Sequence, residues 1–211
     1  MLPRGLYVIT DSALSQGRSH DQVVEAALRG GATTIQLRDK RCPRADLLAA
    51  ARRLSALCRE AGALFIVNDD PYLAAEAGAD GVHLGPSDMP PFEARGLLGE
   101  QAVIGWSVKG SIELARQASR MGVDYLAVGS IFPTTTKEGA VVVGVEAIRN
   151  IRAAVELPIA AIGGIDLDSV VSVIQAGAVS ACVISAAVGA PDVEAACREL
   201  SQAIAAAQTV H

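Results

Sequence analysis

Aromatic residues are nearly absent from this chain, which has one Trp, three Tyr and three Phe in 211 residues. The interior must therefore be filled by Ala, Val, Ile and Gly, a composition that suits close packing of helices on a sheet. Cysteine is scarce too. Cys42, Cys58, Cys182 and Cys197 form no CxxC pair and no metal-like spacing with His20, His83 or His211. They read as reduced, mostly packed thiols of a cytoplasmic protein. No Ser–His–Asp set, nucleophilic cysteine context or zinc-like cluster emerges. Basic charge is in deficit: 18 Lys and Arg against 23 Asp and Glu give a net charge of −5, which argues against a nucleic-acid partner. No apolar run approaches membrane-spanning length, and Met1-Leu2-Pro3-Arg4 leads directly into a strand, so neither a membrane span nor a signal peptide is expected. Small molecules are the partners that remain, with homo-oligomerisation left open.

What the chain does have is a hydrophobic content of 51%, enough for one substantial core and for a single domain over residues 1–211. A punctuation mark recurs as Gly31-Ala32, Gly62-Ala63, Gly78-Ala79, Gly122-Val123 and Gly177-Ala178. Each glycine closes a helix-like segment at a position that requires positive φ, and an apolar run follows at once. The spacing is too irregular for a solenoid and is the mark of alternating strand and helix. Strands are predicted at Leu6–Thr10, Thr33–Leu37, Leu64–Val67, Gly81–Leu84, Val103–Trp106, Tyr125–Val128, Ile159–Ile162 and Cys182–Ser185. Helical patterns are clearest at Asp21–Arg29, Ala45–Glu60, Ser111–Met121, Leu167–Ala176 and Asp192–Ala206, with Asp166 and Asp192 at N-cap positions. About eight βα units at this length predict an α/β fold, a single (β/α)8 TIM barrel, with an open doubly wound sheet as the alternative.

In such a barrel the loops that follow the strands share one face, and there the polar residues gather. The run Ser130–Gly139 offers Thr134, Thr135 and Thr136 hydroxyls, the Lys137 ammonium and a glycine, a set that suits a phosphate; an ordinary polar loop is the competing reading. Asp69 and Asp88 follow adjacent strands, which lie roughly 4.8 Å apart. Together they suit Mg²⁺, which keeps waters and takes phosphate oxygens; separately they read as a turn residue and a helix cap. Asp70, before Pro71, is expected to be a cap. Arg38 and Lys40, with Lys137 from across the mouth, present three cations suited to a diphosphate, or else three solvated charges. Gly163-Gly164 after strand seven and Ser185 after strand eight are placed for a phosphate cradle. His83, inside a strand, reads as a hydrogen-bonded core histidine. The strand-start side carries mostly Gly and Ala.

Several segments in order resemble the thiamine phosphate synthase family: Tyr7-Val8-Ile9-Thr10-Asp11, Gln36-Leu37-Arg38-Asp39-Lys40, Asn68-Asp69, Gly81-Val82-His83-Leu84-Gly85 with Asp88, Phe132-Pro133-Thr134-Thr135-Thr136-Lys137, and Ala161-Ile162-Gly163-Gly164-Ile165. The resemblance spans nearly the whole chain and implies a (β/α)8 barrel that joins a hydroxymethylpyrimidine diphosphate to a thiazole phosphate, releasing pyrophosphate. By that resemblance Gln36, Arg38, Lys40, Asn68, Ser107 and Lys137 hold the pyrimidine diphosphate, with Leu37 and Asp39 in the same run. Arg38, Lys40, Ser107 and Lys137 serve the chemistry, and Asp69 and Asp88 hold Mg²⁺. Thr134, Thr135, Thr136, Gly164, Ile184 and Ser185 place the thiazole phosphate. Pro86 replaces a glutamine common in the family, Asp39 a glutamate, and Lys109, read here as solvated, a histidine. A thiazole tautomerase of the same superfamily and a non-catalytic phosphate-binding barrel are the alternative functions.

Overall fold

Short runs of Val, Ile, Leu and Ala, too brief for stable helices, become strands when both faces are covered. The computed structural model describes residues 1–136 and 139–209. In it β1 (Gly5–Ile9), β2 (Ala32–Leu37), β3 (Leu64–Asn68), β4 (Gly81–Leu84), β5 (Val103–Lys109), β6 (Tyr125–Val128), β7 (Ile159–Ile162) and β8 (Ser180–Val183) pair in parallel, in chain order. The sheet closes where Tyr7 of β1 lies opposite Cys182 of β8. This is the (β/α)8 barrel, not the open sheet.

Between the strands run α1 (His20–Arg29), α2 (Arg44–Ala61), α3 (Pro71–Ala77), α4 (Pro91–Leu98), α5 (Ile112–Ala118), α6 (Glu146–Ala154), α7 (Val170–Gln175), α8 (Ser185–Val188) and α9 (Val193–Gln208). The side-chain alternation of each strand divides the apolar residues into two cores. Leu6, Val8, Ile35, Leu37, Val82, Ile104, Leu126 and Ala181 pack outward against the helices. Tyr7, Ile9, Ile66, Val103, Tyr125, Ala160 and Cys182 fill the barrel interior.

Helix boundaries follow local chemistry. Asp70 accepts from Leu73 N–H at 2.9 Å, Ser111 from Leu114 N–H at 3.2 Å and Asp192 from Ala195 N–H at 3.0 Å, each capping a helix start. The five recurrent glycines all have positive φ. Asp166 does not cap α7. Its Oδ1 accepts from Ser169 Oγ and N–H, closing a turn before the helix opens at Val170. Ser185 is not the end of β8 but the first residue of α8. The helices α3, α4 and α8 are too short to show a clear period, and α6 opens without a side-chain cap.

The strand-start side is less bland than its Gly and Ala content suggests. Asp80 accepts from Phe65 N–H at 2.8 Å and Asp124 from Ile104 N–H at 2.7 Å, each stitching one strand to the one before it. Arg95 of α4 also donates to Asp124, at 2.8 Å. On the opposite side Arg18, in the β1–α1 loop, donates to the carbonyls of Val188, Ala190 and Pro191. The first βα unit is thereby clasped to the last. No described helix is long and apolar enough to cross a membrane.

Candidate active site

The strand ends and the loops after them enclose a cavity of about 790 Å³. Its floor is the upper layer of the barrel interior, with Tyr7, Gln36, His83, Ser107 and Tyr125 pointing inward. Its rim carries the charges. Of the residues singled out in the sequence, Gln36, Arg38, Lys40, Asn68, Asp69, Asp88, Ser107, Thr134, Thr136, Gly164, Ile184 and Ser185 all line this one cavity.

Three do not. Leu37 is turned by the alternation of β2 into the outer core, so its side chain does not reach the cavity. Asp39 faces away as well, accepting from Arg41 and Cys42 N–H and pairing with His20 at 3.3 Å. Burial works to raise its pKa, but hydrogen bonds from Ser12 and those two amides outweigh it and hold the carboxyl below its ordinary value. Thr135 is exposed and lies outside the lining. Lys137 falls outside the described residues.

Asp69 has φ +64, a left-handed conformation in which Asp is less penalised than most side chains. Its N–H donates to His83 O at 2.9 Å, which ties the end of β3 to β4 and places the carboxylate at the rim. There it meets Lys40 Nζ at 3.8 Å. Burial raises the Asp69 pKa and the facing Asp88 carboxylate raises it further, while Lys40 and Arg38 pull it part of the way back. Asp88 is not a helix cap: α4 opens at Pro91 with Pro90 before it, and Asp88 Oδ2 instead accepts from Gly85 N–H at 2.7 Å. That bond holds the second carboxylate toward the first. Arg38, mostly buried, reaches Asp11 at 3.5 Å, whereas Lys40 is largely exposed.

On the other side Thr134 Oγ1 accepts from Thr136 N–H at 3.2 Å, a local turn that shapes the loop. Gly164 has φ +65, and a Cβ there would lie 2.4 Å from Pro133 O. Its glycine is therefore required by contact with the threonine loop as well as by its conformation. Lys109 is exposed on the rim with φ +56, after a bulge in the β5–β6 pairing.

A family model described as thiamine monophosphate synthase matches residues 6–187. The chain belongs to that family. The thiamine-phosphate synthase of Methanoculleus marisnigri is 50% identical over 204 residues, 96% of each chain. That of Moorella thermoacetica is 47% identical over 204 residues, covering 96% of this chain and 97% of the relative. Among solved structures, thiamine phosphate pyrophosphorylase from Pyrococcus furiosus superposes with a TM-score of 0.89 at 41% identity, covering 96% of each chain. A 3-hexulose-6-phosphate synthase superposes at a TM-score of 0.71 and 20% identity, covering 94% of this chain and 99% of the other, and shares the fold alone.

Within this member of the thiamine monophosphate synthase family, the cavity floor holds residues that the sequence reading passed over. Tyr7 and Tyr125 meet hydroxyl to hydroxyl at 3.0 Å, and burial raises both phenol pKa values far above the ordinary value. His83 is hydrogen-bonded as expected, but it lines the cavity rather than a closed core. A usable signal was present: a tyrosine at an inward strand position needs a partner for its hydroxyl.

Proposed function

We propose that this chain is a thiamine-phosphate synthase. It takes 4-amino-2-methyl-5-hydroxymethylpyrimidine diphosphate and a thiazole phosphate to thiamine phosphate and pyrophosphate. The observation that carries this reading is the facing pair Asp69 and Asp88, with Lys40 and Arg38 beside it, in the same cavity as the threonine loop and Gly164. One substrate brings a diphosphate that must leave, and the other brings a phosphate that must only be held.

The donor set fits Mg²⁺. The two carboxylates repel each other when both are ionised, and among the described residues no group of three or more His, Cys, Asp or Glu could hold a metal. A cation there would draw its remaining ligands from water and substrate phosphate, as Mg²⁺ does and structural Zn²⁺ does not. When bound, Mg²⁺ would neutralise charge growing on the leaving pyrophosphate. Arg38 and Lys40 add fixed positive charge at the same rim, and Lys137 carries the same role by its place in the sequence. The pyrimidine CH₂–O bond breaks as its electron-rich ring spreads the positive charge, and the thiazole nitrogen then attacks the methylene carbon. No strong base is needed. The walls hold the nucleophile close and keep water away. We place the reaction in the cytoplasm, where four free thiols remain reduced.

Mixing both substrates with Mg²⁺ and following thiamine phosphate by chromatography tests the reading. Isomerisation of the thiazole without coupling would make the chain a tautomerase. Product binding without turnover would make it a binding protein.

A further inference from the structure

Five side chains of the cavity floor are joined end to end. Gln36 Nε2 donates to Tyr7 Oη at 2.6 Å, Tyr7 Oη meets Tyr125 Oη at 3.0 Å, and Tyr125 Oη meets His83 Nδ1 at 3.0 Å. His83 Nε2 then meets Ser107 Oγ at 2.9 Å. A hydroxyl has one proton to give, and a neutral imidazole has one N–H and one lone pair. Because Tyr7 accepts from Gln36, the partner left to take its own O–H is Tyr125. Tyr125 then donates its O–H to His83 Nδ1, which must accept, and this leaves the ring N–H on Nε2, directed at Ser107. Any break in this direction strands the proton of a buried phenol, since Tyr7 and Tyr125 are 1% and 0% exposed. The high phenol pKa values keep each hydroxyl protonated and the count intact.

We infer that Gln36, Tyr7, Tyr125, His83 and Ser107 form one directional hydrogen-bond chain, in which Tyr7, Tyr125 and the Nε2–H tautomer of His83 are positioning residues that make Ser107 a proton donor into the cavity. The far end is its complement, because Gln36 spends an N–H on Tyr7 and keeps its carbonyl oxygen as an acceptor. The two ends present one donor and one acceptor, which match a ring nitrogen and an exocyclic amine. That assignment of the ligand rests on the proposed function and names its aminopyrimidine half as what the chain reads. The direction of the chain does not rest on it. Gly105 makes the arrangement possible, since a Cβ at that position would lie 2.1 Å from Tyr125 Cζ.

Long-range ¹H–¹⁵N NMR of the imidazole nitrogens, on ligand-free protein, reads the direction. Only His20, His83 and His211 need assignment. The expected result is the Nε2–H tautomer at His83 in the parent. In Gln36→Glu, read at a pH at which ¹³C NMR shows the buried carboxyl to be ionised, the carboxylate can only accept, so the chain should reverse and move the ring proton to Nδ1, although residue 36 does not touch His83. An Nδ1–H tautomer in the parent, or an unchanged tautomer in a folded Gln36→Glu, overturns the inference whatever the activity. Tyr125→Phe, which removes one oxygen, serves if Gln36→Glu does not fold, and should leave His83 as a mixture of tautomers. An unaltered single tautomer there overturns the inference equally. In turnover, Tyr125→Phe should raise KM for the pyrimidine diphosphate about tenfold, with kcat within about threefold. Adding it to Ser107→Ala should cost nothing further, because both changes remove the same donor. Fully additive losses would overturn the link between the two. Absence of coupling activity with the expected tautomers would instead sink the proposed function and leave the chain standing.

Discussion

Asp70 lends an oxygen to Leu73 N–H at the start of α3, whereas Asp69, one residue earlier, turns its carboxylate into the cavity from a left-handed backbone. Their substitutions should therefore separate. Asp70→Ala should lower stability by about 1 kcal/mol, the usual loss for a helix cap, with turnover within about threefold of the parent. Denaturant unfolding and steady-state kinetics check both halves. Asp69→Asn should do the reverse. Its folded pKa is raised, so protonated Asp69 favours the fold below the ordinary carboxylate pKa, and that contribution is lost as pH rises through the raised value. At neutral pH without metal the ionised group is thus a burden, and Asp69→Asn should raise Tm by about 1–3 °C. It should also abolish the Tm gain on adding Mg²⁺ and lower kcat/KM on the order of 100-fold. A Mg²⁺-dependent Tm shift that survives the substitution would remove Asp69 from the proposed Mg²⁺ site.

At the scale of elements, two loops depend on each other. The turn after β7 presses Gly164 against Pro133, in the loop that follows β6. Gly164→Ala should displace the threonine loop, raising KM for the thiazole phosphate at least about fivefold more than KM for the pyrimidine diphosphate. Equal changes in the two KM values would count against this. The sequence made the strand-end residues readable because a parallel barrel puts every such loop on one face, so Asn68, Asp69, Asp88 and Ser107 converge without any distance being known. The side chains of Leu37 and Asp39 leave the cavity although they belong to the same contiguous run as Gln36, Arg38 and Lys40, because a strand sends neighbours to opposite sides. Asp88 resembled a cap, but Pro90 and Pro91 start the helix later and leave its oxygen to Gly85. Tyr7 and Tyr125 lie 118 residues apart in the chain. Only closure of the barrel joins them: the local pattern marks each inward hydroxyl as needing a partner but not which partner it meets.

For the whole molecule, the two ends of the barrel divide the work. Asp80 and Asp124 sit where strands begin, far along each strand from the cavity rim, and spend their oxygens on backbone N–H groups. Asp124→Ala strands Ile104 N–H and leaves Arg95 only its backbone carbonyl acceptors, and should cost about 2 kcal/mol while kcat/KM stays within about twofold. A fall in kcat/KM with stability unchanged would contradict this division. The clasp of Arg18 onto the carbonyls at and just past the end of α8 joins the same first and last βα units as the β1–β8 pairing. Both join segments some 170 residues apart, as Arg18 to Val188 shows. During synthesis β1 must wait for nearly the entire chain, its unpaired backbone edge open to other strands in the meantime. Closing so long a loop is entropically dear and slow. The seam is therefore the strand pairing that costs the most loop-closure entropy and the place where a nascent chain is most exposed to misassociation. An arginine that reaches three carbonyls at once is well suited to hold it shut.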